Sequence, residues 1–530
     1  MDFSFRSEFT ILTIFLLLGI FQGCSQEEGG IRQLTIIHHN DFHAANMPFR
    51  AEIDGDSVTV MGAGGLAGLA KAVKDTAEAA IWLFAGDEFT GTPISTITKG
   101  GSQISLLNRI GVDVAVVGNH EFDYGLERAE AFRDSLNIPV LGGANLRNED
   151  GSPFAREYLD TTIGEIPIRI IGLVPPDLDQ LTSAEATGNL QVLDPAESVR
   201  KYLPGEDTLS IVLSHMGYWR DSLLAVEFPE IDVIVGGHKH KVMKQAHLVG
   251  AEGKLPEETL RGGEGRLPGV VIVQAGSEGI YLGALSLNIE NGDVVSANER
   301  LLLNDGTIAE PDSVVAAYAE HLERRYTGHL DRQIAYLQQP LTRAWDEEST
   351  MGRWVADAFR IAADADIAFH NSGGLRENLP EGPLTLRNLW KALPFENELI
   401  AFEITGEELQ TAMTYAAAKG YRPFLISGVT AKIDRRNDLA SDINVNGKPL
   451  QPGRTYIAVT NSYMWGHFEK YFGFPKGSRK YQNTGIIDRN AAANYAAMQR
   501  TVTPPQDERL VFVGKDKKEK KAVEIGRAHV

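Results

Sequence analysis

A mixed α/β layered domain followed by a smaller α+β unit is the fold class that this 530-residue sequence predicts. Three observations predict it. Apolar, β-branched runs stop abruptly at Asp, His or Asn at five places in the first half. Helices led by glycine turns alternate with those runs, as a layered α/β fold requires. A charged amphipathic helix, Ala316–Arg325, then separates this half from a second series of helices and strands. The length is also beyond what one core usually serves, so two or three domains are expected.

In chain order, Leu34–Asn40 runs into Asp41-Phe42-His43, and Ile81–Ala85 into Gly86-Asp87. Val114–Val117 ends at Gly118-Asn119-His120-Glu121-Phe122-Asp123, Leu209–Leu213 at Ser214-His215, and Val233–Val235 at Gly236-Gly237-His238-Lys239-His240. In open α/β sheets the site lies beyond the carboxyl ends of the strands, so these five endings should converge there. Gly62–Lys74 carries Leu66, Leu69, Ala70 and Val73 at helical spacing. Val270–Ala275 and Leu282–Ile289 read as a closing strand pair. The second unit, from about Ile334 to Val513, has helices at Met351–Ala363 and Gly406–Lys419 and strands at Ile367–His370 and Tyr456–Thr460.

Composition bounds the function. A net charge of −20 argues against coating a nucleic-acid duplex. It leaves phosphate substrates open, because metal ions can supply local positive charge. Phe9–Phe21 has the length of a signal-peptide apolar region and is too short to span a bilayer. It ends at Gly23-Cys24, whose cysteine is the only one in the chain, so intramolecular disulfides are excluded. The position resembles a bacterial lipobox, which implies export and a lipid anchor at Cys24, at the periplasmic or cell-surface side. The expected segments are an export signal over 1–24, a tether over 25–33, a catalytic domain over 34–295, a linker with a helix over 296–333, a second domain over 334–514 and a charged tail over 515–530. Glu524–Val530 reads as foreign sequence and is not expected to contribute to the fold. The sequence carries no signal of oligomeric state.

Mixed oxygen and nitrogen ligands with a carboxylate able to bridge suit two divalent metals a few ångströms apart. Asp41 and His43, two residues apart, share one face of a strand end. With these residues on the page, the full set Asp41-Phe42-His43, Gly86-Asp87, Gly118-Asn119-His120-Glu121, Ser214-His215 and Gly237-His238-Lys239-His240 resembles the motifs of the calcineurin-like metallophosphoesterases. The longer strings 36–43, 86–92 and 118–123 resemble their 5'-nucleotidase branch. That resemblance implies a four-layer α/β/β/α sandwich. It also implies two divalent metal ions (Zn, Mn or similar), one held by Asp41, His43, Asp87 and His240, the other by Asp87, Asn119, His215 and His238. Hydroxide on the metals would attack phosphorus in line. His120 would stabilise the transferring phosphoryl group, and Asp123 would orient its imidazole and keep it protonated. His38 and His39 read as structural or as supports behind the ligands, and Lys239 as a solvated neighbour.

In the second unit, Asn371-Ser372-Gly373-Gly374-Leu375-Arg376 follows a strand, and glycine-turn amides with an arginine fork suit a phosphate. A plain turn with a solvated arginine fits those residues equally well. The segment resembles the arginine motif of the 5'-nucleotidase C-terminal domain, extended by Leu393–Asn397. By that resemblance Phe424 and Tyr463 would sandwich a base, near Gly428, and Glu469 would take the place of a ribose-binding aspartate. Ser372 replaces a glycine, Trp345 stands where the family has arginine, and His467-Phe468-Glu469-Lys470 replaces a glycine-flanked aspartate. The implied activity is release of phosphate from nucleotides or another small phosphate ester, 5'-nucleotidase-like. The same scaffold admits a UDP-sugar pyrophosphatase, a 2',3'-cyclic-nucleotide phosphodiesterase or, in a related branch, a hydrolase of sulfur-bonded substrates on a carrier protein. A non-catalytic surface lipoprotein that binds a nucleotide or a partner would instead predict decay of the metal ligands, which are all present.

Overall fold

The computed structural model describes residues 31–513, apart from 183, 206, 262–264, 346, 419–423, 435 and 478. The export signal, Cys24 and the tail therefore lie outside the described residues, as does most of the tether. No described helix is long and apolar enough to cross a membrane.

Two sheets stack face to face in the first domain. One has six strands in the order Asp293–Leu303, Tyr281–Glu290, Arg32–His39, Ala80–Phe84, Val114–Val116 and Val140–Leu141. The other has seven, in the order Gly253–Lys254, His247–Gly250, Val270–Val273, Val233–Gly236, Leu209–Ser214, Ile166–Leu173 and Tyr158–Ile163. The central strands of each are parallel, with Ile36 opposite Ile81 in the first sheet and Leu213 opposite Val235 in the second. Their carboxyl ends thus share an edge.

The period-two alternation of each strand builds the layers. Ile36, Leu83, Val114, Ile211, Val233 and Leu285 fill the space between the sheets. Their sequence neighbours Ile37, Phe84 and Ala115 point outward under helices such as Gly62–Lys74, while Val212 and Ile234 do the same beneath Leu224 and Val199. Four layers, α/β/β/α, result.

The expected pairing of Val270–Ala275 with Leu282–Ile289 does not form. Val270–Val273 belongs to the seven-stranded sheet and Tyr281–Glu290 to the six-stranded one. The chain crosses between them through left-handed residues Gly276, Glu278 and Gly279 (φ 83°, 56° and 63°). The true hairpin partner of Tyr281–Glu290 is Asp293–Leu303, so the first domain's sheet continues past the boundary expected at 295.

Helix Ser313–Thr327 is capped by Asp312, whose carboxylate accepts the Val314 and Val315 amides. It packs on the first domain, where Arg109 lies 4.0 Å over the Tyr318 ring. Its far end is bound from the second domain by Arg387, which donates to the Thr327 carbonyl and to Asp331. The second domain has a five-stranded sheet, Leu425–Ser427, Ile367–His370, Thr455–Asn461, Glu398–Thr405 and Tyr481–Ile487. Helices Thr350–Ala362, Gly406–Ala418 and Asp488–Gln499 accompany it.

Candidate metal centre and active site

The strand ends turn so sharply that five of the expected ligands adopt left-handed backbone: Asp41, His43, Asp87, His238 and His240, at φ between 51° and 76°. For non-glycine residues this conformation costs about 1–3 kcal/mol each and marks sites over-determined by their surroundings. The bracing is visible. Asp41 N donates to Gly86 O (2.9 Å), His43 N to Asp87 O (3.1 Å) and Glu278 N to Asp41 O (2.7 Å). The Asp41 carboxylate accepts the His238 amide from the opposite sheet, at 2.9 and 3.2 Å.

Three overlapping groups bring donor atoms within 4.8 Å of one another: Asp41, His43 and His240; His43, Asp87 and His120; and Asp87, His215 and His238. Burial and second contacts fix which nitrogen each ring presents. His43 Nδ1 donates to Thr90 O (2.9 Å), leaving Nε2 to face His240 Nε2 at 3.1 Å. His215 Nδ1 donates to Ala85 O at 2.6 Å. Its Nε2, fully buried, comes 2.8 Å from Asp87 Oδ2 without the geometry of a hydrogen bond. Nitrogens and carboxylate oxygens gathered this closely, with the buried His215 Nε2 left without a hydrogen-bond partner, are what divalent cations require, so this donor set fits them. Asn119 Oδ1 lies 2.9 Å from His238 Nδ1, beside the same group.

His120 sits at the edge of the cluster, its Nδ1 2.5 Å from Asp123 Oδ2 and its amide on Asp87 Oδ1 at 2.8 Å. Burial works against its charging, but Asp123 and Asp87 outweigh this and raise its pKa to about 9. That shift favours the protonated ring, in which both nitrogens are donors.

Two functional residues carry no recognisable signal beyond their motifs. Glu121 is fully buried, and its carboxylate accepts the amides of Glu88 (2.7 Å), Phe89 (3.4 Å), Gly118 (2.6 Å) and Asp87 (3.2 Å). It thereby ties the Asp87 loop to the Asn119–His120 loop. Asn40 does the same for the crossing segment, accepting Ala275 N and donating to Gly276 O and Asp41 Oδ2. Their partners lie up to 236 positions away in the chain, which no local pattern reveals. His38 and His39 are structural, as expected: His38 pairs with Glu299 at 3.1 Å and His39 accepts the Trp82 indole N–H at 3.0 Å. Lys239 is exposed.

The second domain reaches this centre. Phe395 lies parallel to the His120 ring with centroids 6.4 Å apart, and Arg376 stands 5.9 Å from the Phe395 ring. Thr96 donates to Pro394 O across the domains. Arg376 is half-buried, makes no ion pair among the described residues, and feels Asp123, Glu278 and Asp87 of the first domain as well as Arg343. Asn371, Gly373 and Gly374 form a short turn ahead of it. The remaining expected pocket residues differ in their surroundings. Phe424 is 5% exposed and stacks on Phe472. Tyr463 is half-buried, 4.6 Å from the His467 ring. Gly428 is left-handed (φ 78°) where a side chain would strike the Asp366 carbonyl. Glu469 is exposed on helix Phe468–Phe472, whose Phe468 and Phe472 are buried in the core.

Within this four-layer sandwich, residues 34–242 match the calcineurin-like phosphoesterase family. Residues 327–475 match the 5'-nucleotidase C-terminal domain. The chain is thus a metal-dependent phosphoric ester hydrolase of the 5'-nucleotidase type, a metallophosphoesterase domain joined to a 5'-nucleotidase C-terminal domain. Among its relatives is a 5'-nucleotidase of Vibrio cholerae, 25% identical over 87% of this chain and 90% of that one. Endonuclease YhcR of Bacillus subtilis is 26% identical over 88% of this chain, which spans only 39% of that relative. The crystal structure of a 5'-nucleotidase precursor from Thermus thermophilus superposes with a TM-score of 0.76 at 24% identity, covering 91% of this chain and all of that one, and so shares the fold.

Proposed function

We propose that the protein is an exported phosphohydrolase with two divalent metal ions that releases phosphate from nucleotides, as a 5'-nucleotidase does. The observation that carries this is the approach of Arg376 and Phe395 to His120. A cation of the second domain that makes no ion pair among the described residues faces the ligand cluster of the first, where a phosphoryl group would complete it.

Asp41, His43, Asp87 and His240 would hold one ion and Asp87, Asn119, His215 and His238 the other. When bound, the ions supply positive charge for the phosphoryl oxygens and a nucleophile at neutral pH. The chain's own residues do the rest. Arg376 and the amides of the Asn371–Gly374 turn grip the phosphate. His120 Nε2–H donates to a phosphoryl oxygen as charge grows there, while Asp123 keeps the proton on Nδ1 and fixes the ring. Phe395 covers the imidazole and excludes water. Tyr463, which packs against the same hydrophobic cluster as Phe424, forms the nucleoside side of the site with Gly428 and Glu469. Export rests on Phe9–Phe21 and Cys24, and lipidation of Cys24 is checked by mass spectrometry of the membrane-extracted protein.

The test is phosphate release by the chain lacking residues 1–24, with Mn or Zn. AMP, UDP-glucose, a 2',3'-cyclic nucleotide and p-nitrophenyl phosphate form the panel. Chelator-sensitive turnover of AMP, abolished in His120→Ala, is expected. Preference for UDP-glucose or the cyclic ester would move the assignment to a pyrophosphatase or phosphodiesterase, and turnover of the generic ester alone would sink the nucleotide reading.

A further inference from the structure

Helix Tyr218–Glu227 is apolar on two sides, and only one of them is covered. Leu224 and Ala225 pack on Val212 and Ile234 of the second sheet. On the outer side Trp219, Leu223 and Val226, at i, i+4 and i+7, form one stripe open to solvent, with 73%, 55% and 37% exposure. The Trp219 indole makes no hydrogen bond or ring contact among the described residues. So large a ring is seldom left this bare, and contiguous exposed apolar side chains mark a surface that something covers.

The rim of the stripe favours a bilayer. Lys239 lies against Gly217 at the head of the helix, where a Cβ would come 2.9 Å from its Cγ, and Lys241 Nζ stands 4.6 Å over the Tyr218 ring. Neither lysine makes an ion pair among the described residues, whereas the nearby acids Asp177 and Glu227 are paired with Arg220 and Arg200, at 2.9 and 2.8 Å. Indole and phenol rings beside ammonium groups and branched apolar side chains suit the headgroup boundary of a membrane. Position agrees with this. The chain leaves the helix and returns to the start of strand Leu209–Ser214, where Asp232 N donates to Ser210 O. Arg32, which opens strand Arg32–His39, donates to Glu165 O at 2.8 Å, beside the start of the neighbouring strand Ile166–Leu173, so the chain enters the domain at this same edge. From Cys24 to Arg32 it can reach about 30 Å at most, which would hold this edge near the membrane that carries the anchor.

We propose that the Trp219–Leu223–Val226 face docks on the phospholipid surface to which the chain is tethered, with the indole among the headgroups and Lys239 and Lys241 on lipid phosphates. The proposal rests on the exported, lipid-anchored reading above and goes beyond it. A flexible tether alone lets the domain turn freely, whereas this contact sets one side of the sandwich against the bilayer.

The test uses the full chain, expressed from residue 1 and reconstituted into vesicles of phosphatidylethanolamine and phosphatidylglycerol, with and without brominated acyl chains. Wild type is compared with Trp219→Phe and with the double variant Leu223→Asp, Val226→Asp. Subtracting the Trp219→Phe emission isolates this indole among the six tryptophans. Vesicles should shift that difference spectrum to shorter wavelength, and brominated lipid should quench it. Both effects should be lost in the double variant, which should keep the wild-type melting temperature and phosphate release. An indole that stays water-like and unquenched on vesicles would overturn the proposal. So would a shift that appears without lipid and grows with protein concentration, which would make a second copy of the chain the occupant. Mass spectrometry of the same sample separates the two readings. The shift in a protein without lipid on Cys24 refutes the anchor and leaves the docking face standing, whereas a lipidated protein without the shift refutes the docking face alone.

Discussion

Glu121→Gln isolates the tie between the two loops that carry Asp87 and Asn119–His120. Each carboxylate oxygen accepts two backbone amides, Oε1 those of Glu88 and Phe89, Oε2 those of Asp87 and Gly118. An amide nitrogen in either place turns an acceptor into a donor, so two buried N–H groups lose their partners whichever way the side chain is rotated. A buried unsatisfied donor costs about 1–3 kcal/mol, so the gross loss is about 2–6 kcal/mol. Part of this is recovered. Burial and the Asp87 charge push the Glu121 pKa up to about 7, so the native carboxylate is itself costly and a neutral side chain relieves that. A net loss of roughly 2–4 kcal/mol is expected, a large share of a domain's usual stability. The loops also position the phosphoryl-facing groups, where a displacement near 1 Å costs about a hundredfold in rate, so kcat should fall at least tenfold. Urea unfolding gives the first quantity and turnover of p-nitrophenyl phosphate the second. A variant within about 0.5 kcal/mol of wild type, turning over within twofold, would show that the four amides do not depend on this carboxylate.

Gly283→Ala would drive a methyl group into the His38 imidazole and leave Glu299 buried without its partner, costing about 3–5 kcal/mol; equilibrium unfolding against wild type checks it. Asp488 is buried and its pKa is raised to about 7, chiefly by burial. The folded state therefore holds a proton that the unfolded chain releases near pH 4, so stability falls as pH rises between those values. Asp488→Asn should raise the melting temperature at pH 8 and lose that advantage by pH 5, and an equal shift at both would refute it. Removing divalent ions with a chelator should lower the melting temperature and make it depend on added Mn or Zn concentration, by about 2.7 kcal/mol at a hundred times Kd; scanning calorimetry across a metal titration reads this.

The strand ends were legible because each announces itself locally: an apolar run, a turn, a ligand. Helix Gly62–Lys74 and strand Ile367–His370 were readable to the residue for the same reason. What local pattern could not supply was pairing. Val270–Val273 and Tyr281–Glu290 look alike as strands, and only the three left-handed residues between them send one to each sheet. Glu121 and Asn40 were equally silent, since their work is done on backbone far away in sequence. Phe424 shows the converse: its motif is intact, but Phe472 stacks on its ring and Phe369 meets it edge-on, so it is enclosed in the core.

The expected ligands come from both sheets, Asp41, His43, Asp87 and Asn119 from the strand ends of one and His215, His238 and His240 from those of the other. This sets a timetable for synthesis. A nascent chain that has passed Asn119 holds more than half of the donors but no complete pocket, because the second sheet does not yet exist. The last donor, His240, is followed by Gly276, whose carbonyl Asn40 must still find. The complete donor set therefore comes together only once both sheets are in place, late in the first domain's assembly, although His43, Asp87 and His120 are side by side before that.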